Sequence, residues 1–339
     1  MTPRERWLGT IRKEPVDRVP MDFWGTPEVC RSLVDHLGAK DMSEVCDRLH
    51  IDRPLDPGID PCGVRVKPVA YRAGSYDEVE FSPLAEYESI QEIEDRYTWP
   101  GADLYDTSGL PQQIEAAGEK QLPAQFLMSG IYALYTRLRG MEQAFIDFAL
   151  NQDIVLYCMD RLVDTRCEIA RRVFETIPDR IDLVWLYNDL GSQEDLLCSP
   201  DTVRKLFLSG IRKMAGLARG AGATVCLHSD GAIRRIIPDL IDCGIQVLNP
   251  IQWRCSGMDR RELKRDFGKH VTFHGAMDNQ QTLVQGNEQA VRREVRENID
   301  IFAADGGGYV LAPCHNFQPV TSPHIIVAMY DEGRNYGRR

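Results

Sequence analysis

Seven short apolar runs recur along the chain: 17–26 (DRVPMDFWGT), 122–130 (LPAQFLMSG), 182–189 (DLVWLYND), 223–230 (ATVCLHSD), 245–252 (IQVLNPIQ), 270–275 (HVTFHG) and 308–316 (GYVLAPCHN). They are rich in Val, Ile and Leu on both alternating faces, the pattern of buried parallel strands. Longer segments of helical period lie between them in the second half. In 199–222, Ser199 is placed to cap a helix and Pro200 suits its first turn. Val203, Leu206, Phe207, Ile211, Met214 and Leu217 form one apolar face, and Gly220 and Gly222 end it. Segment 287–305 repeats the design with Val291, Val295, Ile299 and Phe302 inward, and 141–179 is long enough for two helices.

Strands alternating with helices mean βα units around a parallel sheet. Seven strands approach the eight of a closed (βα)8 barrel. The rival is an open doubly wound sheet, but no G-x-G-x-x-G follows any strand, so its usual dinucleotide form is excluded. The expected fold is therefore an α/β, (βα)8 TIM barrel. Residues 40–120 read differently, with a hairpin over 64–81 turning at Gly74 and Ser75, an acidic stretch and a short helix from about 109. This region is expected to be an insertion after the first strand, near the barrel mouth, within one domain spanning 1–339.

Composition narrows the function classes. The 339 residues are 43% hydrophobic and 27% charged, with a net charge of −11. That balance fits a soluble globular protein and argues against a nucleic-acid partner, which needs basic surface. No run approaches the ~18 apolar residues of a membrane span. The charged opening, MTPRERWLGTIRKEPVDRVP, does not read as a signal peptide. Ten cysteines without CxxC pairs are expected to be reduced thiols of a cytoplasmic protein, monomer or homodimer.

Barrel active sites sit at the C-terminal ends of the strands. Those ends carry Trp24, Ser129, Asn188, Asp189, His228, Asp230, Asn249, Gln252, His274, Cys314, His315 and Asn316. One such end is merely the border of a core; seven together suggest a site. Residues i and i+2 of an extended segment point the same way, so His228 and Asp230 can reach one ion, with Cys314 of the last strand as third ligand. Three protein ligands and an open position describe a catalytic zinc site. Should no metal bind, Asp230 or Asp189 becomes the candidate general acid, its pKa raised by burial. Trp24, Asn188, Asn249, His274, His315 and Phe317 are the candidate substrate-binding residues, Trp24 and Phe317 as aromatic walls.

Several stretches resemble uroporphyrinogen decarboxylase and the cobalamin-associated methyltransferases that share its fold. They are TPRERWLGTIRKEPVDRVP, PLAEYESIQEIEDRYTWPGADLYD, YNDLGSQEDLLCSPDTVRKLF, HSDGAIRRIIPDLIDCGIQVLNPIQ, FHGAMDNQQTL and GGGYVLAPCHNFQP. The resemblance implies a (βα)8 barrel. The decarboxylase branch carries arginine just after the first strand, where this chain has none between Arg18 and Arg31. The methyltransferase branch binds zinc through His-x-Cys and a distant Cys. His228 and Cys314 match that pattern, and Asp230 departs from it by placing a carboxylate where a thiolate is usual. The harder ligand set suits polarising an ether oxygen. The resemblance is closest to methyltransferases that demethylate methoxylated aromatic compounds, passing the methyl group to a corrinoid cobalt. No D-x-H-x-x-G corrinoid motif is present, so the corrinoid is expected on a partner protein. A decarboxylase of a small acid and a non-catalytic binding protein are the alternatives.

Overall fold

The computed structural model describes residues 1–55, 66–71, 74–118, 121–285 and 287–338. Strands β1 (Val66–Tyr71) and β2 (Gly74–Val79) form an antiparallel hairpin. β3 (Gln125–Ser129), β4 (Leu183–Tyr187), β5 (Thr224–His228), β6 (Val247–Asn249), β7 (Thr272–Met277) and β8 (Tyr309–Pro313) form a parallel sheet in that order.

Two extended segments close the sheet into the barrel. The first is the expected run at 17–26. Asp22 N–H donates to Leu311 O at 2.9 Å, Leu311 N–H to Pro20 O at 3.0 Å and Phe317 N–H to Trp24 O at 2.8 Å, which lays this run beside β8. The second, 51–55, has no apolar run to announce it. Leu55 N–H donates to Pro123 O at 2.9 Å on the β3 side, and Asp52 N–H to Met21 O at 2.7 Å on the other. The hairpin follows this eighth segment in the chain. Its register pairs Tyr71 with Gly74 and Ala70 with Ser75. Gly74 and Ser75, where the turn was expected, are thus already in the strand, and residues 72–73 lie outside the described residues.

The helical faces match the apolar periodicity. Ser199 Oγ accepts the Thr202 amide at 3.1 Å and caps the helix Pro200–Leu206. The run breaks at Phe207, and a second helix, Leu208–Gly220, continues it. Val291, Val295, Ile299 and Phe302 are all buried on the helix Glu288–Phe302. The segment 141–179 gives the helices Met141–Leu150 and Gln152–Thr176. Among the described residues, no helix is long and apolar enough to cross a membrane.

Strand parity decides what faces the barrel axis. Leu183, Trp185, Cys226, Val247 and Val310 form a separate apolar cluster with Trp7, whose indole N–H donates to Asp52 O at 2.9 Å. The next inward positions along the same strands are Tyr187, His228 and Asn249, with His274 beside them. The interior therefore changes from apolar to polar toward the C-terminal ends, where a barrel site is built.

Candidate metal centre

His228 and Asn249 are partners in the parallel register of β5 and β6, one pair beyond Leu227 and Leu248. Parallel pairing places them side by side on the inner face. Their side chains meet at 2.6 Å, His228 Nδ1 to Asn249 Oδ1. The other ring nitrogen, Nε2, faces two carboxylates, with Asp189 Oδ1 at 3.5 Å and Asp230 Oδ1 at 3.9 Å. One ligand atom from each of Asp189, His228 and Asp230 lies within 4.8 Å of the others, close enough to hold one ion.

Neighbouring loops fix this arrangement. The Asp230 amide donates to Asp189 Oδ1 at 3.3 Å. Gln252 grips the same loop, donating to Asp230 Oδ1 at 3.0 Å and accepting from Gly231 N–H at 2.7 Å. Gly231 sits at φ +87°, and an added Cβ would stand 2.5 Å from the Gly191 backbone. Only glycine allows the loops after β4 and β5 to come together this closely.

The electrostatics favour a cation. Burial pushes the Asp230 carboxyl up to about 6; His228 opposes the shift and the Asp189 charge adds to it. Two converging carboxylates beside an imidazole nitrogen form a donor set that a divalent cation would satisfy. The residues present therefore fit zinc. The Asp230 side chain is 28% exposed and that of Asp189 is 55% exposed, so the centre opens on the Asp189 side. There it meets a cleft of about 600 Å³ lined by Tyr132, Ala133, Thr136, Phe81, Met141 and Leu197, among others.

The remaining expected site residues fall into three groups. Cys314 is not among the three that converge. Its thiol donates to Ile251 O at 3.1 Å, and burial pushes it well above the usual thiol range, so Asp189 stands where the third ligand was expected. His315 faces the centre, with Nε2 3.7 Å from Asp230 Oδ2, and burial lowers its pKa. Trp24 also belongs to the centre, its ring centroid 5.5 Å from that of His228.

Asn249 and His274 are fully buried and bond to each other, Asn249 Nδ2 to His274 Nδ1 at 2.6 Å. They stand behind His228. Asn188, one residue past Tyr187, takes the opposite face; its Oδ1 accepts the Tyr132 amide at 3.1 Å at the start of the helix Ile131–Arg139. Phe317 is fully buried against Phe23, with centroids 5.6 Å apart, and is core. Sequence reasoning missed Asp22, a buried carboxylate that accepts from Trp24 Nε1 at 2.9 Å and lies 3.0 Å from His274 Nε2. Its only signal was an aspartate inside the first apolar run.

Comparison with known proteins agrees with this architecture. A methyltransferase from Methanosarcina mazei superposes with a TM-score of 0.76 at 20% identity, over 99% of both chains, which shows the shared fold. A methylcobamide:CoM methyltransferase, MtaA, of Methanosarcina barkeri is 24% identical over 234 residues. That match takes in 67% of this chain and 64% of the relative's length. The same enzyme from Methanosarcina barkeri strain Fusaro is 24% identical over 240 residues, 68% of this chain and 66% of the relative. The model of the uroporphyrinogen decarboxylase (URO-D) family matches residues 112–336. The chain belongs to the uroporphyrinogen decarboxylase family, and these curated relatives are of its methyltransferase branch.

Proposed function

We propose that this barrel moves a methyl group between a small molecule and the cobalt of a corrinoid on a separate protein, and that the small molecule is a methoxylated aromatic compound. The observation that carries the reading is the convergence of His228 Nε2 with the Asp189 and Asp230 carboxylates beside an open cleft. The relatives are named for methylcobamide, which supports a corrinoid as one partner in the methyl transfer.

Aryl methyl ethers resist weak nucleophiles because the leaving phenolate is basic. Held by Asp189, His228 and Asp230, zinc would supply a Lewis acid for the ether oxygen. In the transfer, the carbon–oxygen bond breaks and its electron pair stays on oxygen. Cobalt(I) of the partner would supply the pair for the new bond to carbon, and the phenolate would take a proton from solvent. This chain orients the ring. Trp24 offers a flat wall beside His228, and Tyr132 and Phe81 line the cleft through which the methyl group would face outward. A ligand set without sulfur favours an oxygen leaving group over activation of a thiol.

The test mixes the protein with a reduced corrinoid protein and a panel of methoxylated aromatics, following the corrinoid spectrum. Methylation of the corrinoid that is lost in His228→Ala is the expected result. Methylation of a thiol alone, or release of carbon dioxide from a small acid without change in the corrinoid, would replace this reading.

A further inference from the structure

We infer that Asp22, Asn249 and His274 form a directional relay that holds His228 in the tautomer whose Nε2 lone pair faces Asp189 and Asp230, making them positioning residues for the metal centre. The relay crosses the barrel interior: His228, Asn249 and His274 stand on the adjacent strands β5, β6 and β7, and Asp22 reaches His274 from the first extended run, on the far side of β8. The four residues are each nine-tenths or more buried. Each link is short: 3.0 Å from Asp22 Oδ2 to His274 Nε2, 2.6 Å from His274 Nδ1 to Asn249 Nδ2, and 2.6 Å from Asn249 Oδ1 to His228 Nδ1.

Neither an imidazole tautomer nor an amide orientation is visible from heavy atoms alone; the hydrogen-bond network has to fix it. Here one end of the network does so. Asp22 receives the Phe23 amide on Oδ1 at 2.8 Å and the Trp24 indole N–H on Oδ2 at 2.9 Å, and an ionised carboxylate offers acceptors only. His274 must therefore present Nε2–H to it, which in the neutral ring leaves Nδ1 as an acceptor. An acceptor there requires the amide nitrogen of Asn249, and that turns the amide oxygen toward His228. His228 then carries its proton on Nδ1, and Nε2 is bare. Reversing any one link would set two donors or two acceptors against each other in a buried site, at the cost of an unmade hydrogen bond. Partners behind a ligating histidine set its ring orientation and tautomer, and losing one typically weakens metal binding ~10–100-fold.

The relay rests on the metal reading for its purpose but not for its geometry, so its test begins without metal. In metal-free protein labelled with nitrogen-15 histidine, the signals of His228 are identified by their loss in His228→Ala. Long-range proton–nitrogen correlation should show His228 protonated on Nδ1 and bare at Nε2. Zinc affinity by chelator competition should then fall ~10–100-fold in Asn249→Ala. It should stay within a few-fold of the parent in Asn249→Asp, where one carboxylate oxygen still accepts from His228 Nδ1–H and His274 takes a proton on Nδ1 to meet the other. A purely structural Asn249 would lower the melting temperature in both variants while leaving zinc affinity and the His228 signals unchanged. That result overturns the inference, as does a His228 found protonated on Nε2. If His228 shows the expected tautomer but no zinc binds, the metal reading fails and the relay geometry stands.

Discussion

The Asp230 amide donates to Asp189 Oδ1 at 3.3 Å, so the carboxylate after β4 is tied to the backbone of the loop after β5. The contact depends on two glycines that touch through their backbones, Gly191 and Gly231. Gly231→Ala would put a Cβ into the facing loop at a left-handed φ of +87°. The expected cost is about 1–3 kcal/mol, measured as a lower urea midpoint, with weaker zinc binding as the loops separate. An alanine variant with parental stability and zinc affinity would show that the loops are not held by this contact.

The shifted Asp230 carboxyl gives a signed pH prediction for the metal-free protein. Its folded value is about 6 against an ordinary 3.8, so the proton is held more tightly in the folded state. That contribution is fully present below about pH 4 and is lost as the pH rises through about 6. The loss is at most about 3 kcal/mol for a shift of roughly two units. Asp230→Asn should therefore raise the urea midpoint of metal-free protein at pH 8 and leave it nearly unchanged at pH 4. An equal effect at both pH values would mean that the carboxyl is not strained by burial.

A buried ion pair anchors the segment that follows the hairpin. Arg139 Nε lies 2.6 Å from Asp147 Oδ2, with both side chains out of solvent. The same guanidinium donates to the carbonyls of Leu84 and Tyr87, and Tyr135 Oη donates to Asp147 at 2.6 Å. Arg139→Met would leave Asp147 as an unpaired buried charge and free the carbonyls, at an expected cost of about 3–5 kcal/mol. Equilibrium denaturation measures it; a cost below about 1 kcal/mol would show that water replaces the arginine.

Much of this fold was legible in the chain because its strands are apolar on both faces and helices such as Glu288–Phe302 bury one apolar face. The segment 51–55 was not, since Arg53 and Pro54 give it no strand pattern and backbone bonds to distant residues alone define it. At the site, His228 and Asp230 could be paired by their spacing. Asp189 joins them only through the Gly191–Gly231 contact between loops 40 residues apart, which no local pattern reveals. Parity along β6 and β7 placed Asn249 and His274 inward. Asp22, which meets His274 at 3.0 Å, is 252 residues away in sequence. Cys314 failed to converge because its thiol is satisfied by the Ile251 carbonyl.

The ligand set is tested most directly by zinc content and chelator competition in the parent, Asp189→Asn and Cys314→Ser proteins. The account predicts about one zinc per parent chain. Asp189→Asn should bind it at least ~10-fold more weakly, since loss of a ligand should cost no less than loss of a supporting partner. Cys314→Ser should match the parent. Zinc that survives Asp189→Asn and is lost in Cys314→Ser would contradict the account and return the third position to the thiolate.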